Sequence, residues 1–103
     1  MEFIETPDFI KLASLLLGAE GVRLLQTALI LHPSAGALIP GTGGLRKLRW
    51  ASSSKGKRGG LRVIYYWITN DHKIVLLYVY KKSSQDDLST DELKRLKSFI
   101  EED

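Results

Sequence analysis

No cysteine occurs among the 103 residues, and methionine appears once. A disulfide framework and a thiolate metal site are therefore excluded. The two histidines, His32 and His72, lie far apart and make a poor metal constellation. The N-terminus carries Glu2, Glu5 and Asp8 and has no basic segment before an apolar run, so it does not read as a signal peptide. The apolar stretch Leu12–Leu17 is too short to span a bilayer. These absences lead to the expectation of a cytoplasmic protein with no membrane partner and no cofactor.

The most informative shortage is of negative charge. Between Glu20 and Asp71 there is no acidic residue, while Arg23, Arg46, Lys47, Arg49, Lys55, Lys57, Arg58 and Arg62 all fall there. Residues 21–70 thus carry a charge of +8, and the formal net charge of +3 conceals it because the remainder is acidic. A block of this kind attracts phosphate polyanions and raises their encounter rate. Nucleic acid is the leading partner class. A solvated basic loop that only keeps the chain soluble fits the composition as well.

Length predicts a single domain over residues 1–103, able to bury roughly 60–65% of the surface of its unfolded chain. Met1–Thr6 reads as a short extended segment. Thr6-Pro7-Asp8 reads as a helix start, with Thr6 as N-cap and Pro7 at the first helical position. Phe9, Leu12, Ala13 and Leu16 form one apolar stripe. Gly18 and Gly21 predict a break, followed by a second helix to about His32. That helix is apolar around much of its circumference and is expected to be well buried. Residues 33–44 are loop by their proline and glycine density.

Periodicity then switches to two. In Leu45–Trp50, Leu48 and Trp50 face one way, and Lys47 and Arg49 the other. Residues 51–60 predict a mobile hairpin connection. In Leu61–Thr69, Arg62, Ile64, Tyr66 and Ile68 share one face, with Val63, Tyr65 and Trp67 on the opposite one. Asn70-Asp71 marks a turn before the apolar strand Lys73–Tyr80. Ser89 and Glu92 have capping-box spacing, and Leu93, Leu96, Phe99 and Ile100 form the apolar side of a closing helix. The expected fold is α+β: two N-terminal helices, an antiparallel three- to four-stranded sheet and one C-terminal helix. Helices on one side of such a sheet leave the other side free for Lys47 and Arg49, with Arg62 and Lys82 near them.

Familiar enzyme signatures are missing. There is no nucleophile elbow, no phosphate loop followed by Lys-Ser/Thr and no His-Glu zinc helix. The glycines of Pro40–Gly44 precede a strand and lack a helix N-terminus to cradle an anion. What remains is a set of cations, hydroxyls and aromatics. Such groups can cleave RNA without a metal, since the attacking 2′-hydroxyl belongs to the substrate and needs only in-line positioning. Arginines stabilise the charge that develops on phosphorus. A lysine crowded by Lys47, Arg49, Lys57, Arg58 and Arg62 can exchange a proton. Tyr66, Tyr80 or Trp50 can stack a base, although core packing is the plainer account of each aromatic and the favoured one for Trp50 and Trp67.

The runs Gly41–Trp50 and Gly56–Tyr66, with the tail Tyr80-Lys81-Lys82 and then Asp87-Leu88-Ser89 and Glu92, resemble the RelE/HigB family of toxins across essentially the whole chain. The resemblance implies the toxin half of a toxin–antitoxin pair, a microbial-RNase-like α+β fold, and cleavage of mRNA in the ribosomal A site. Carried over by position, it implies catalytic roles for Lys47, Arg49 and Arg62 and a basic residue at Lys82, with Lys57 or Lys82 to serve in acid/base chemistry; Arg46, Lys55, Arg58, Tyr66, Tyr80 and Lys81 are the expected RNA-binding residues beside them. It also implies a cognate antitoxin with a helix-turn-helix domain, and contact with operator DNA only through that complex. The RelE branch has a stacking tyrosine where this chain has Leu88, so stacking is expected from Tyr80 or Tyr66. Two other functions stay open: a ParE-like gyrase inhibitor and a small RNA-binding protein without catalysis.

Overall fold

Thr6 begins the first helix as its chemistry dictates. Its Oγ1 accepts a hydrogen bond from the Phe9 amide at 3.1 Å and donates to the Leu77 carbonyl at 2.9 Å. One hydroxyl thereby caps helix α1 (Pro7–Leu16) and pins it to the sheet. The structure is a computed structural model that describes residues 1–51 and 60–100. The expected connection over 51–60, with Lys55, Lys57 and Arg58, therefore lies almost wholly outside the described residues.

Helix α2 (Gly18–Leu31) follows after a single residue, with Gly18 at φ +74° turning the chain and His32 as C-cap. Gly21 does not break it. The sheet contains β1 (Glu2–Glu5), β2 (Ala37–Leu38), β3 (Leu45–Trp50), β4 (Leu61–Ile68) and β5 (Lys73–Lys81), in the order β1-β5-β4-β3-β2. Helix α3 (Thr90–Lys97) closes the described chain. The α+β class and helix order agree with expectation. The sheet has one strand more, because residues 37–38 of the expected loop pair with Arg46 and Lys47. It is also mixed, since β1 runs parallel to β5, with Glu2 opposite Lys73.

Two cores result. Phe9, Ala13, Leu25 and Leu29 of α1 and α2 pack on Leu61, Val63, Tyr65, Ile74 and Val79, with Leu48 and Trp50 at the margin. On the opposite face, Leu96 and Leu88 join Leu45, Ile64, Val75 and Leu77, with Leu93 and Ile100 against them. The second face is thus not free: α3 covers part of it. Its start is fixed by a capping box, in which the Ser89 amide donates to Glu92 Oε1 at 2.7 Å and Ser89 Oγ accepts from the Glu92 amide at 3.1 Å. The Ser89 amide holds the Glu92 carboxyl below the usual carboxylate range. An Arg95–Asp8 ion pair ties α3 to the first turn of α1. Phe99 lies beyond the helix and is exposed.

Helix α2 is less buried than its composition predicts. Leu24 is 54% exposed and Leu31 68%. One side packs on the sheet through Leu25 and Leu29, and no described element covers the other. None of the helices is long and apolar enough on its own to cross a membrane among the described residues.

Candidate nucleic-acid interface

Strand alternation places Lys47 and Arg49 on the α3 side of β3, and register places Arg62 of β4 directly opposite Arg49. Tyr80 of β5 is the other neighbour of Arg62. Arg62 is only 5% exposed, and its Nη1 donates to the Leu61 carbonyl at 3.1 Å. A guanidinium lodged in the sheet this deeply is held in place by its surroundings, whereas Arg49 beside it is solvent-exposed. Lys47, Arg49 and Arg62 line one shallow cleft together with Ala35 and Ala37. These three expected residues do converge.

Lys47 also lines a second, more apolar cleft of about 400 Å3, walled by segment 37–40, Leu88 and Leu93. At their junction the Lys47 ammonium donates to Asp87 Oδ1. Sequence reasoning missed Asp87 as part of the site. It is forty positions from Lys47 along the chain, and only the burial of the adjacent Leu88 in the second core brings it there. The Lys47 hydrogen bond and charge hold the Asp87 carboxyl below its ordinary range, with Arg62 adding to the effect. The expected set of cations, hydroxyls and aromatics therefore also carries one carboxylate.

Other expected residues are placed differently. Arg46 lies on the opposite face of β3, where its Nη1 donates to the Gly36 carbonyl at 2.7 Å and the Ser34 carbonyl at 3.2 Å. It braces the loop before β2, away from the cleft that Lys47, Arg49 and Arg62 line. Tyr65 holds the same loop, donating to the Pro33 carbonyl at 2.7 Å and accepting from the Gly36 amide at 2.8 Å. Burial pushes its phenol up, against the opposing effects of the Gly36 hydrogen bond and Arg46.

Tyr80 is 5% exposed and packs in the second core beside Tyr78, with part of its surface lining the second cleft. Burial raises its phenol pKa, and Asp87 adds to the rise. Tyr66 packs over Gly44, where a Cβ would lie 2.7 Å from its ring. Trp50 belongs to the margin of the first core. Lys81, the last residue of β5 and paired with Leu61, and Lys82 after it are exposed and line neither cleft. No group of three His, Asp or Glu side chains suited to a metal occurs among the described residues.

The arrangement can grip a phosphodiester with two guanidinium groups and one ammonium, and offers an apolar recess beside them. Residues 38–102, which carry all the charged residues of this site, match the family described as the RelE toxin of the RelE/RelB toxin–antitoxin system. The fold is similar to a solved structure of the E. coli toxin RelE, a doubly substituted mutant in the free state. That similarity has a TM-score of 0.63 at 16% identity and covers 96% of this chain and 95% of the other. At such identity the second likeness is one of fold. The family match spans well over half the chain, and the chain belongs to the RelE family of toxins, the toxin component of a toxin–antitoxin system.

Proposed function

We propose that this toxin is a ribosome-dependent, metal-independent mRNA endoribonuclease that stops translation by cutting the message in the ribosomal A site. The observation that carries the reading is the convergence of Lys47, Arg49 and Arg62 in one cleft. The substrate's 2′-hydroxyl attacks the adjacent phosphorus, the P–O5′ bond breaks, and a cyclic phosphate and a 5′-hydroxyl result. Arg62 and Arg49 stabilise the extra negative charge on the equatorial oxygens, and Lys47 holds the phosphate in line. Lys57 and Lys82 remain proposed proton carriers, with Lys55, Arg58 and Lys81 as outer phosphate contacts that follow the RNA backbone. An antitoxin with a helix-turn-helix domain covers the cations and takes the complex to operator DNA.

The test is induced expression in a growing culture, followed by mapping of mRNA ends. Cuts within codons leaving 5′-hydroxyl ends are expected, and a folded Arg62→Ala chain should lose them. Removing a charge partner of a developing oxyanion costs about 3–4 kcal/mol of barrier. Intact mRNA accompanied by DNA-damage signalling would replace this reading with gyrase inhibition. Intact mRNA without such signalling would leave RNA binding alone.

A further inference from the structure

The cationic cleft, about 460 Å3 in volume, draws its lining from two sources. Lys47, Leu48, Arg49 and Arg62 come from β3 and β4, and Ala35 and Ala37 from the segment that leads into β2. That segment offers the cleft no charge and no side chain larger than a methyl group, so it does not hold a phosphate. It can limit where a ribose–phosphate unit rests against the cations. A wall does this only when its own backbone is fixed.

The fixing groups stand on the other face of the sheet. Arg46 and Tyr65 are cross-strand partners of β3 and β4, one position along from Lys47 and Ile64. The fully buried Tyr65 hydroxyl donates to the Pro33 carbonyl and accepts from the Gly36 amide. Arg46 donates to the Gly36 and Ser34 carbonyls. Both backbone polar groups of Gly36 are thereby held. A Cβ on Gly36 would lie 2.8 Å from the Tyr65 ring and 3.1 Å from the Lys47 carbonyl, so the chain lies flat against both. The Ala35 amide donates to the His32 carbonyl at 3.0 Å, and Ala37 pairs with Lys47. Ala35 and Ala37 flank Gly36, and the clamp on Gly36 sets where their methyl groups stand.

We infer that Arg46 and Tyr65 are positioning residues for RNA cleavage, clamping segment 33–37 as the wall that keeps the scissile linkage in line with the cations. The inference rests on the RNA-cleaving reading above and adds to it two residues that never touch the substrate. Without the clamp, Lys47, Arg49 and Arg62 still attract the phosphate. The 2′-hydroxyl then reaches the in-line angle in fewer of the bound complexes, so the rate within the complex falls more than the affinity.

The experiment is single-turnover cleavage of mRNA on programmed ribosomes, with the whole chain in excess at a series of concentrations. Tyr65→Phe and Arg46→Ala should each lower the maximal rate about tenfold or more, with the half-saturating concentration close to that of the parent. Loss of folded protein alone raises the half-saturating concentration and leaves the maximal rate unchanged, so the maximal rate separates positioning from stability. Ala37→Val narrows the cleft without cutting the clamp, and a β-branched residue suits a strand. It should raise the half-saturating concentration while the denaturation midpoint holds.

A parental maximal rate in either clamp variant, measured on folded protein, would overturn the inference. So would Ala37→Val with the parent's half-saturating concentration. If the parent chain leaves mRNA uncut, the cleavage reading falls, and the wall is judged by binding of an uncleavable 2′-O-methyl RNA. Weaker binding by Ala37→Val then keeps segment 33–37 as the wall of an RNA-binding cleft, and equal binding removes it.

Discussion

Arg49 and Arg62 sit directly opposite each other in the register of β3 and β4, one exposed and one buried. Like charges facing across a strand pair destabilise it. A sheet selected for stability alone would place an opposite charge or an apolar pair there. Arg49→Thr should therefore raise the denaturation midpoint while lowering cleavage. Chemical denaturation and end-mapping of mRNA check the two effects, and a Thr variant that is both less stable and fully active would contradict the frustrated pair.

Arg46 supplies the contrast, one residue from Lys47 but on the other face. Its hydrogen bonds go to the Gly36 and Ser34 carbonyls. Arg46→Ala should cost about 1–2 kcal/mol of stability and leave the salt dependence of RNA binding unchanged. Arg49→Ala should flatten that dependence by about 0.7 in slope, as for one lost contact to a single strand. Filter binding at several salt concentrations separates them.

The capping box gives a pH prediction. The Glu92 carboxyl is held below its ordinary pKa by the Ser89 amide, so the folded state binds this proton less readily than the unfolded chain. Its contribution is present above the unfolded value of about 4.3 and is lost as pH falls through the lower folded value. Glu92→Gln should thus lose part of the acid-side slope of stability, while Ser89→Ala should cost about 1 kcal/mol at neutral pH. Thermal melts between pH 3 and about 7 read both effects.

Gly44 has φ +124°, and a Cβ there would lie 2.7 Å from the Tyr66 ring. Gly44→Ala should destabilise by about 1–3 kcal/mol through combined backbone strain and displacement of that ring. A variant as stable as the parent would show that Tyr66 moves aside freely.

Local chemistry made much of the fold legible. Thr6 as a cap, the break near Gly18, the Ser89–Glu92 box and the alternation of Arg62, Ile64 and Tyr66 against Val63 and Tyr65 all depend on neighbours a few residues apart. The parallel docking of β1 on β5 and the cover that α3 lays on the sheet depend on partners far along the chain, for which spacing gives no signal. Lys47, Arg49 and Arg62 could be brought together on paper because β3 and β4 are consecutive and alternate strictly. Asp87 could not, since its position follows from where Leu88 finds a core. Alternation likewise assigns Tyr66 and Tyr80 to a face, but not how deeply each is buried there. The same holds for the expected burial of α2, whose apolar circumference exceeds the surface available to receive it.

The hydroxyl of Thr6 reaches a carbonyl 71 positions later, and β1 has no neighbour in the sheet until β5 exists. Nearly the whole polypeptide must leave the exit tunnel before its first strand can be seated, and non-local pairing of this kind slows folding. The strand that opens the chain is therefore among the last to be seated, after the consecutive pair that carries Arg49 and Arg62 has been made.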